Sequence, residues 1–384
     1  MPSVAMVGNW DWVLYQFRLG LARGLREAGY EVTFICPPGE WVPRLQAEGF
    51  AWREWPLHRS RLNPVTELAA IRALTILYRS LRPDIAHHST IKPNVYGSIA
   101  ARRAGVPMVV NAFSGLGFVF SGTPKAGVLR SVLRPIMQRA FAPGNIHTVF
   151  DNAGDQATLV RDRIVDPSRS YIIPGSGVSG VDTGTFRPAD SPDGRGNVLN
   201  VLMGARLLED KGVGEFVEAG RLLARKGLPV RLRLAGGPDP RNPAAVPDSV
   251  LAQWSRENVV EFLGQRNDMV DLLRTADIAA LPSYHEGTPR FLLEAAATGL
   301  PLVATDIEGC RTVVRNGING LLIPVRDARA LADAIERLAG DVELRKSMGA
   351  ASRQLAIAEF SEATIVARYL EIYRRLESAL QQPR

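Results

Sequence analysis

Two glutamates, Glu286 and Glu294, stand eight positions apart across a predicted loop-to-helix junction. The first lies in a loop that contains glycine and proline, and the second lies in the apolar segment Arg290–Gly299, which has the composition of a helix. Thr288 suits an N-cap and Pro289 suits the first helical position. We therefore expect a helix to begin directly after the loop carboxylate.

This order of groups favours binding of a phosphorylated diol. The free N–H groups and the dipole of a helix start bind anions. Glu294, about two turns into the helix, can accept two hydrogen bonds from a vicinal diol, and Glu286 can reach a polar group beyond the anion. A diol, a phosphate and a further polar group together describe a nucleotide sugar. The alternative is two solvated glutamates that only flank a helix start.

Two cations, Arg206 and Lys211, flank a predicted turn directly after the strand Val198–Gly204. Cations at the carboxyl end of a strand can bind a diphosphate and stabilise the charge that develops on a leaving group. The alternative is an ordinary exposed loop, because such loops often carry arginine and lysine.

The stretch Tyr284–Val325 closely resembles glycosyltransferase family 4, a group of retaining enzymes with the GT-B fold and a Glu-x7-Glu signature. The resemblance implies that Glu294 holds the ribose hydroxyls of the donor and that Glu286 touches the donor sugar. It also implies that Arg206 and Lys211 bind the donor diphosphate and take part in catalysis. The residues between the two glutamates would complete the donor site: Gly287, Thr288, Pro289 and Arg290.

The length of 384 residues predicts two domains, and a hydrophobic content of 46% is sufficient for two cores. We expect no spanning helix, because no run of eighteen apolar residues occurs, and no signal peptide. Cys36 and Cys310 lack the spacing of a metal or redox site, which favours a reducing, cytoplasmic setting.

Short β-rich segments alternate with helical patterns, which predicts an α/β fold with parallel sheets. The turn-rich stretch Pro188–Asn197 is interpreted as a linker. We therefore expect two doubly wound, Rossmann-like domains, residues 1–188 and 198–360, that face each other across a cleft. The GT-B resemblance implies acceptor binding by the first domain, nucleotide-sugar binding by the second, and a C-terminal helix, 361–384, that crosses back to the first.

The loop Gly8–Trp12 follows the first predicted strand and contains Asn9. GT-B enzymes use this loop near the donor diphosphate and the acceptor, which makes Asn9 a candidate for donor binding. Tyr15 and Arg18 come directly afterwards and are candidates for acceptor binding. The alternative is that the tryptophans of the loop only cap the apolar core.

Two further segments, His87–Gly97 and Asn111–Gly117, resemble transferases that act on undecaprenyl-diphosphate-linked sugars. Lys92 could bind the acceptor diphosphate, and Asn94 is a further acceptor-binding candidate. His88 could contact sugar hydroxyls or carry a proton near neutral pH. The alternative for His88 is a structural hydrogen bond to the backbone.

The sequence departs from the family pattern after the strand Pro107–Ala112. Many family 4 members place a histidine there, whereas this chain has Phe113–Gly115. A mechanism that needs this histidine is in doubt unless His88 or Ser114 substitutes for it, and Ser114 is included among the acceptor-binding candidates.

The window from residue 85 to residue 150 contains seven Lys and Arg residues and no Asp or Glu, while the whole chain has a net charge of +7. Such a region suits phosphates, nucleic acid or an anionic membrane. Aromatic residues are not interleaved as in RNA readers, which argues against nucleic acid. Residues 118–142 form a basic amphipathic pattern that predicts membrane contact. The alternative is a packed helix with a solvated basic face.

The segment Gly175–Gly180 has the spacing of a dinucleotide-binding fingerprint, but loop-like residues follow it. The fingerprint requires a helix at that point, so we reject it. The nucleotide base is expected near Gly264 and Arg266, at the end of another strand. Neither an Asp-x-Asp triplet nor metal-spaced histidines occur, and we expect neither metal nor cofactor.

Together these features predict a retaining glycosyltransferase that moves a sugar from a UDP-sugar to a polyprenyl-diphosphate-linked sugar. By resemblance, the sugar is an N-acetylhexosamine or a relative, and the enzyme lies on the inner face of the cytoplasmic membrane. The alternatives are a GT-B-fold UDP-sugar 2-epimerase, which needs no lipid acceptor, and a non-catalytic membrane-associated scaffold.

Overall fold

The computed structural model describes residues 1–58, 63–116, 124–189, 198–240 and 242–381. The elements up to residue 172 are β1 (Ser3–Val7), α1 (Asp11–Glu27), β2 (Glu31–Cys36), α2 (Val42–Ala47), β3 (Ala51–Glu54), α3 (Pro64–Leu81), β4 (Ile85–Ser89), α4 (Ile91–Ala104), β5 (Met108–Phe113), α5 (Pro124–Phe141), β6 (Ile146–Phe150), α6 (Ala153–Arg161) and β7 (Ser170–Ile172). The later elements are β8 (Leu199–Gly204), α7 (Val213–Arg225), β9 (Val230–Ala235), α8 (Asp248–Glu257), β10 (Val260–Gly264), α9 (Met269–Arg274), β11 (Ile278–Leu281), α10 (Arg290–Ala297), β12 (Leu302–Thr305), α11 (Glu308–Val313), β13 (Gly320–Ile323), α12 (Ala328–Gly340), α13 (Val342–Phe360) and α14 (Glu362–Gln381).

Met1–Gly180 and Glu362–Arg384 belong to one compact unit. Its described strands form a seven-stranded parallel sheet in the order β3-β2-β1-β4-β5-β6-β7. The order reverses between β1 and β4, so the loops that follow these two strands diverge at a switch point. Such a point leaves a crevice at the carboxyl edge of the sheet, where ligands of doubly wound folds bind.

Helices cover both faces of this sheet, as the alternation along β1 illustrates. Val4 and Met6 point to one face, where they are buried with residues of α1, α2 and α14. Ala5 and Val7 point to the other face, where they are buried with residues of α3, α4 and α5. Successive side chains of a strand point to opposite faces, so each strand contributes to two cores.

The C-terminal helix α14 belongs to the first unit, which confirms the expected crossing back of the last helix. Ile365, Tyr369 and Tyr373 of α14 are completely buried in the core that also contains residues of α1. The Tyr373 hydroxyl lies 2.5 Å from Nδ1 of His87 on β4, so the helix is also fixed by a buried polar contact.

Val181–Ser361 form the second unit, whose described strands make a six-stranded parallel sheet in the order β10-β9-β8-β11-β12-β13. Its switch point lies between β8 and β11. The division falls at Gly180/Val181, before the predicted linker, because the Val181 N–H donates to the Phe360 carbonyl at 2.8 Å. Residues 190–197 of that linker lie outside the described residues.

Helix α13 has no counterpart among the elements expected from the sequence. Its buried residues include Gly349, Ser352 and Ala356, which are small or polar and leave a weak apolar periodicity. Within the described ranges, every helix is too short or too polar to cross a bilayer.

Arg18 of α1 is a buried clamp in the first unit, with 1% of its surface exposed. Its Nε donates to Ser89 Oγ at 2.7 Å, and its Nη1 donates to the carbonyls of Ser176 at 2.8 Å and Gly177 at 3.2 Å. These bonds join α1 to the end of β4 and to the segment Gly175–Gly180. That segment contains a single 3-10 turn over Ser176–Val178, as its loop-like sequence predicted.

Replacement of Arg18 by methionine should lower the free energy of unfolding of the first unit by about 3 kcal/mol, because two buried carbonyls lose their donor. Urea unfolding would measure the change. Arg23→Met on the same helix is the control. Arg23 pairs with Glu48 on the surface, and its loss should cost less than about 1 kcal/mol. Equal effects of the two substitutions would show that Arg18 is no clamp.

Candidate active site

In the second unit, the predicted donor-site residues follow the two strands at the switch point. Arg206 and Lys211 come after β8, and Glu286 comes after its neighbour β11. The carboxyl ends of adjacent parallel strands lie side by side, so the tertiary fold brings residues from distant parts of the sequence to one edge.

Lys211 and Glu286 form an ion pair, with Nζ and Oε1 separated by 2.6 Å. The side chains are 16% and 15% exposed, so the pair is largely shielded from water yet reachable. A charge pair in this setting is screened less than one on the open surface. Two of the four residues that the sequence assigned to catalysis, Glu286, Arg206, Lys211 and His88, therefore meet directly.

The loops that carry this pair share one acceptor, the Asp210 carbonyl. It accepts the Tyr284 N–H at 2.8 Å and the Ser283 hydroxyl at 3.2 Å. The Thr305 hydroxyl at the end of β12 donates to the Ser283 carbonyl. These bonds fix the β11–α10 loop to the turn that contains Lys211 and to the neighbouring strand.

Tyr284 adds a side-chain link to this arrangement. Its hydroxyl donates to Glu215 Oε1 at 2.5 Å, and the Arg326 guanidinium carbon lies 4.7 Å from the centre of its ring. Burial, followed by the hydrogen bond to Glu215, raises the pKa of Tyr284 to about 12. The hydroxyl thus stays protonated as the donor, and it joins the loop before Glu286 to α7.

Gly309 of α11 allows the loop to approach closely. A Cβ atom at this position would overlap with the carbonyl oxygens of Glu286 and Gly287. Gly204, at the end of β8, does the same for α10, because a Cβ there would overlap with the Phe291 ring. Two glycines outside the Glu-x7-Glu motif therefore set the position of its loop and of its helix, and sequence reasoning missed this role.

Helix α10 begins at Arg290, as the segment Arg290–Gly299 predicted, but its N-cap is not the predicted residue. Pro289 is the N-cap, with φ −72° and ψ 111°, and Arg290 is the first helical residue. The prediction of Thr288 as N-cap is therefore wrong. Thr288 is buried in the loop instead, with 6% exposure. An extended proline sets the direction in which the chain enters the helix.

Glu294 is 8% exposed and lies on α10, one turn after Arg290. Its Oε1 accepts a hydrogen bond from Arg290 Nε at 2.7 Å. Burial raises the pKa of this carboxyl, and the Arg290 charge opposes the shift. A shielded carboxylate whose partner is a long side chain, 38% exposed, is suited to exchange that partner for ligand hydroxyls.

Other predicted donor-site residues lie apart from the Lys211–Glu286 pair. Arg206 is 57% exposed and pairs with Asp239 at 2.7 Å. Gly264 ends β10 with φ 68°, and Arg266 pairs with Asp268 on the surface. Since β9 separates β10 from β8, the base site at Gly264 and Arg266 remains a prediction.

In the first unit, His88 is completely buried at the end of β4. Its Nδ1 lies 2.7 Å from Asn111 Oδ1 and its Nε2 lies 2.7 Å from the Tyr78 hydroxyl. Burial lowers the pKa of His88 to about 4. The expectation that His88 carries a proton near neutral pH is therefore wrong: the ring is neutral, and both of its nitrogens have partners.

Lys92 and Asn94, in the first turn of α4, are held by the protein itself. Lys92 Nζ donates to Glu67 at 2.9 Å and to the His58 carbonyl at 2.9 Å. Asn94 is completely buried, and its amide donates to the Ala112 carbonyl at 3.0 Å. The prediction that Asn94 binds the acceptor is therefore wrong: its side chain is buried and has a structural role. Lys92 could reach a diphosphate only by leaving Glu67.

The remaining acceptor candidates differ in exposure. The prediction that Arg18 binds the acceptor is wrong, because its guanidinium is buried and donates to protein carbonyls. Tyr15 is half-buried, with its ring centre 5.0 Å from that of Trp41. Asn9 is also half-buried and lies after β1, at the switch point. Ser114 is exposed just beyond β5, which leaves it available to an acceptor.

Asp151, a residue that sequence reasoning missed, lies beneath Ser114 at the end of β6. Its Oδ1 accepts the Ser176 hydroxyl at 2.6 Å and the Gly177 N–H at 2.5 Å. A Cβ atom on Gly177 would overlap with both Asp151 Oδ2 and Ser114 Cβ, so these groups crowd around one glycine. Burial raises the pKa of Asp151 to about 6. An aspartate directly after a buried strand was the signal that could have identified it.

No cluster of three metal-ligating side chains occurs among the residues that the structure describes. The basic segment 118–142 is described only from residue 124 onward, and Gly117 of the acceptor-like motif also lies outside the described residues.

The chain matches two protein-family descriptions. Residues 199–341 match "Glycosyl transferases group 1", and residues 3–150 match "Glycosyl transferase 4-like". The chain is 30% identical over 374 residues to N,N'-diacetylbacillosaminyl-diphospho-undecaprenol alpha-1,3-N-acetylgalactosaminyltransferase of Campylobacter jejuni, covering 94% of this chain and 96% of the relative. It is 29% identical over 299 residues to UDP-Gal:alpha-D-GlcNAc-diphosphoundecaprenol alpha-1,3-galactosyltransferase of Escherichia coli, covering 71% of each.

Solved structures show the same fold at lower identity. Sucrose-phosphate synthase from Thermosynechococcus elongatus superposes with a TM-score of 0.80 at 19% identity, covering 99% of this chain and 100% of that one. Anabaena Alr3699/HepE in complex with UDP-glucose gives a TM-score of 0.75 at 19% identity, covering 98% and 100%. The fold is GT-B.

The chain therefore belongs to the glycosyl transferases of group 1, and it is a hexosyltransferase-type enzyme. The family expected from the spacing of Glu286 and Glu294 is confirmed. An enzyme of this family transfers a sugar from an activated donor to an acceptor.

Tyr284→Phe should reduce turnover roughly tenfold, or about 1.4 kcal/mol in activation free energy, with little change in melting temperature. The ring stays under Arg326, but the loop loses its link to Glu215 and holds Glu286 less firmly. Steady-state kinetics with the nucleotide-sugar donor would measure the effect. Tyr171→Phe on β7 is the control, because it removes a hydroxyl that makes one long contact, 3.5 Å, to His147 in the first unit. Unchanged turnover would exclude the positioning role.

Asp151→Asn should change how stability depends on pH. The folded-state pKa of Asp151, about 6, lies above its ordinary value of 3.8, so the folded state holds this proton more tightly than the unfolded state does. The aspartate therefore reduces stability as pH rises from about 4 to about 6, by up to ~3 kcal/mol. Relative to wild type, the asparagine variant should gain this amount between pH 4 and pH 7 in urea unfolding. A pH-independent difference would contradict the assignment.

Proposed function

We propose that this glycosyltransferase transfers a sugar, an N-acetylhexosamine or a close relative, from a UDP-sugar to a polyprenyl-diphosphate-linked sugar with retention of anomeric configuration. The observation that carries the proposal is the Lys211–Glu286 ion pair beside the start of α10, with Glu294 of the same motif one turn into that helix. The names of the Campylobacter jejuni and Escherichia coli relatives, both of which contain a diphospho-undecaprenol acceptor, support it.

In the proposed reaction, Glu294 exchanges Arg290 for the ribose hydroxyls of the donor. Lys211 exchanges Glu286 for the donor diphosphate, and the N–H groups at the start of α10 add to the positive field. Arg206, whose partner Asp239 lies on the surface, is free to turn toward the same phosphates at little cost. Glu286, released from Lys211, then contacts hydroxyls of the donor sugar.

The bond from the anomeric carbon to the UDP oxygen breaks, and the acceptor oxygen bonds to that carbon on the same face. The acceptor proton passes to the departing phosphate oxygen, and UDP leaves. This course needs no protein base, which agrees with the burial of His88. It needs neither metal nor cofactor, because Lys211, Arg206 and the helix start supply the positive charge.

A polyprenyl acceptor lies in a membrane, so we propose that the enzyme acts as a peripheral protein on the inner face of the cytoplasmic membrane. Helix α5 supports this proposal. Val132 and Ile136 are exposed on it, one turn apart, and the exposed Arg139 follows one turn later on the same face. An apolar pair beside a cation suits the headgroup region of anionic lipids.

The proposal is tested by transfer of label from a panel of UDP-sugars into lipid-extractable product, with undecaprenyl-diphosphate-sugar acceptors. Label from one donor would support the proposal and name the sugar. Conversion of the UDP-sugar without any acceptor would point to an epimerase, and donor binding without transfer or conversion would point to a scaffold. Failure to bind any UDP-sugar would overturn the donor site.

Within this assay, Glu294→Ala should weaken donor binding by roughly 10- to 100-fold, because the ribose loses a charged acceptor. Lys211→Ala and Arg206→Ala should instead reduce turnover, by roughly 100-fold for Lys211. Calorimetric titration with the UDP-sugar separates binding from turnover. Glu359→Ala and Lys226→Ala, which change exposed ion pairs, are the matched controls. Wild-type kinetics in the first three variants would refute the site.

A further inference from the structure

Helix α3 carries an apolar stripe that faces solvent. Val65, Leu68 and Ile76 are 75%, 62% and 56% exposed. Arg72 and Arg79 are exposed on the same face, because these positions recur at intervals of three and four residues. The stripe is therefore one continuous face of the helix that carries three aliphatic and two cationic side chains.

The core of the first unit does not account for this stripe. Helix α3 already buries Ile71, Leu74 and Tyr78 on its opposite face, against the sheet. Large aliphatic side chains repeated on the outer face of a helix indicate a partner or a membrane.

The three helices α3, α4 and α5 are almost free of acid, whereas α6, which adds Leu159 to the same core, carries Asp155, and the adjoining Asp162 pairs with Arg130. Helices α3, α4 and α5 cover the same face of the sheet, and Glu67 is the one acidic residue in their sequences. Glu67 is neutralised by Lys92 at 2.9 Å. The basic residues of the three helices are Arg72, Arg79, Lys92, Arg102, Arg103, Lys125, Arg130, Arg134 and Arg139.

The layer on the other face of the same sheet provides an internal comparison. There α1 and α14 carry both signs of charge: the acids are Asp11, Glu27, Glu362, Glu371 and Glu377, and the bases are Arg18, Arg23, Arg26, Arg368, Arg374 and Arg375. The positive excess is thus a property of the α3–α5 layer and not of the unit as a whole.

We propose that the outer face of α3 (Val65, Leu68, Arg72, Ile76 and Arg79) is a docking surface for an anionic lipid bilayer. This inference rests on the proposed membrane association and adds a second contact to that of α5. The charge of the layer complements acidic headgroups, and each cation near such a surface adds to the attraction. Aliphatic side chains that share a helix face with arginines suit insertion between headgroups, whereas the core of a protein–protein interface is depleted of charge.

Vesicle co-sedimentation tests the docking surface, with vesicles of phosphatidylcholine alone or mixed with phosphatidylglycerol. Leu68→Ser combined with Ile76→Ser should lower the partition coefficient on the mixed vesicles by roughly tenfold, because two inserted side chains are lost. Arg72→Glu should weaken binding further and reduce its sensitivity to salt. All three side chains are exposed, so the fold should be unaffected.

Val342→Ser combined with Ile357→Ser on α13 is the matched control, since these side chains are 48% and 47% exposed in the second unit. The control should bind vesicles as wild type does. Binding of the α3 variant at wild-type strength would overturn the proposal and leave α5 as the sole contact. Equal binding to vesicles with and without phosphatidylglycerol would overturn the anionic preference.

The same preparations also separate this inference from the proposed reaction. Transfer to a detergent-solubilised acceptor should be the same in the α3 variants and in wild type. Absence of transfer by the wild-type enzyme would refute the proposed reaction. Normal transfer in wild type without vesicle binding would refute the docking surface alone.

Discussion

The ion pair between Lys211 and Glu286 depends on a constraint of the sheet: two strands distant in sequence end side by side. Since β8 and β11 are neighbours at the switch point, a cation from one loop and a carboxylate from the other meet at 2.6 Å. Each group satisfies the other's charge in the described structure. Opposite charges that are paired but partly exposed can be separated by a ligand that carries both phosphates and hydroxyls. The contact that stabilises the site thus also keeps its two charged groups in place.

The surroundings of this pair are rigid because backbone groups, rather than long side chains, hold it. The Asp210 carbonyl joins the two loops, and Gly309 lets α11 lie directly against the carbonyls of Glu286 and Gly287. Backbone contacts of this kind leave few rotamers to be ordered when a ligand binds, so less binding free energy is spent on organising the site.

The first unit uses its polar residues differently. His88, Arg18 and Asn94 are all buried within hydrogen-bond networks, and their burial keeps the ends of β4 and α1 fixed. Exposed groups such as Ser114 are left to meet an acceptor. The second unit therefore presents charge at its predicted donor site, and the first unit presents a buried polar network together with a basic set of helices. This difference matches a reaction in which the donor carries the charge that must be stabilised.

The sequence by itself determined the α/β class and the two-domain organisation, and its resemblance to the family implied the return of the last helix and the roles proposed for Glu286 and Glu294. It could do so because strand and helix periodicities, and a motif of fixed spacing, are local properties of the chain. It could not determine whether His88, Arg18 or Asn94 is exposed, because their partners Tyr78, Ser176 and Ala112 lie in other elements. Burial of a polar group is decided by what packs over it, and only the tertiary structure supplies those neighbours. The same holds for Gly309 and Asp151, whose roles depend on the groups packed against them, and for the stripe on α3, which matters because the rest of the protein leaves it exposed.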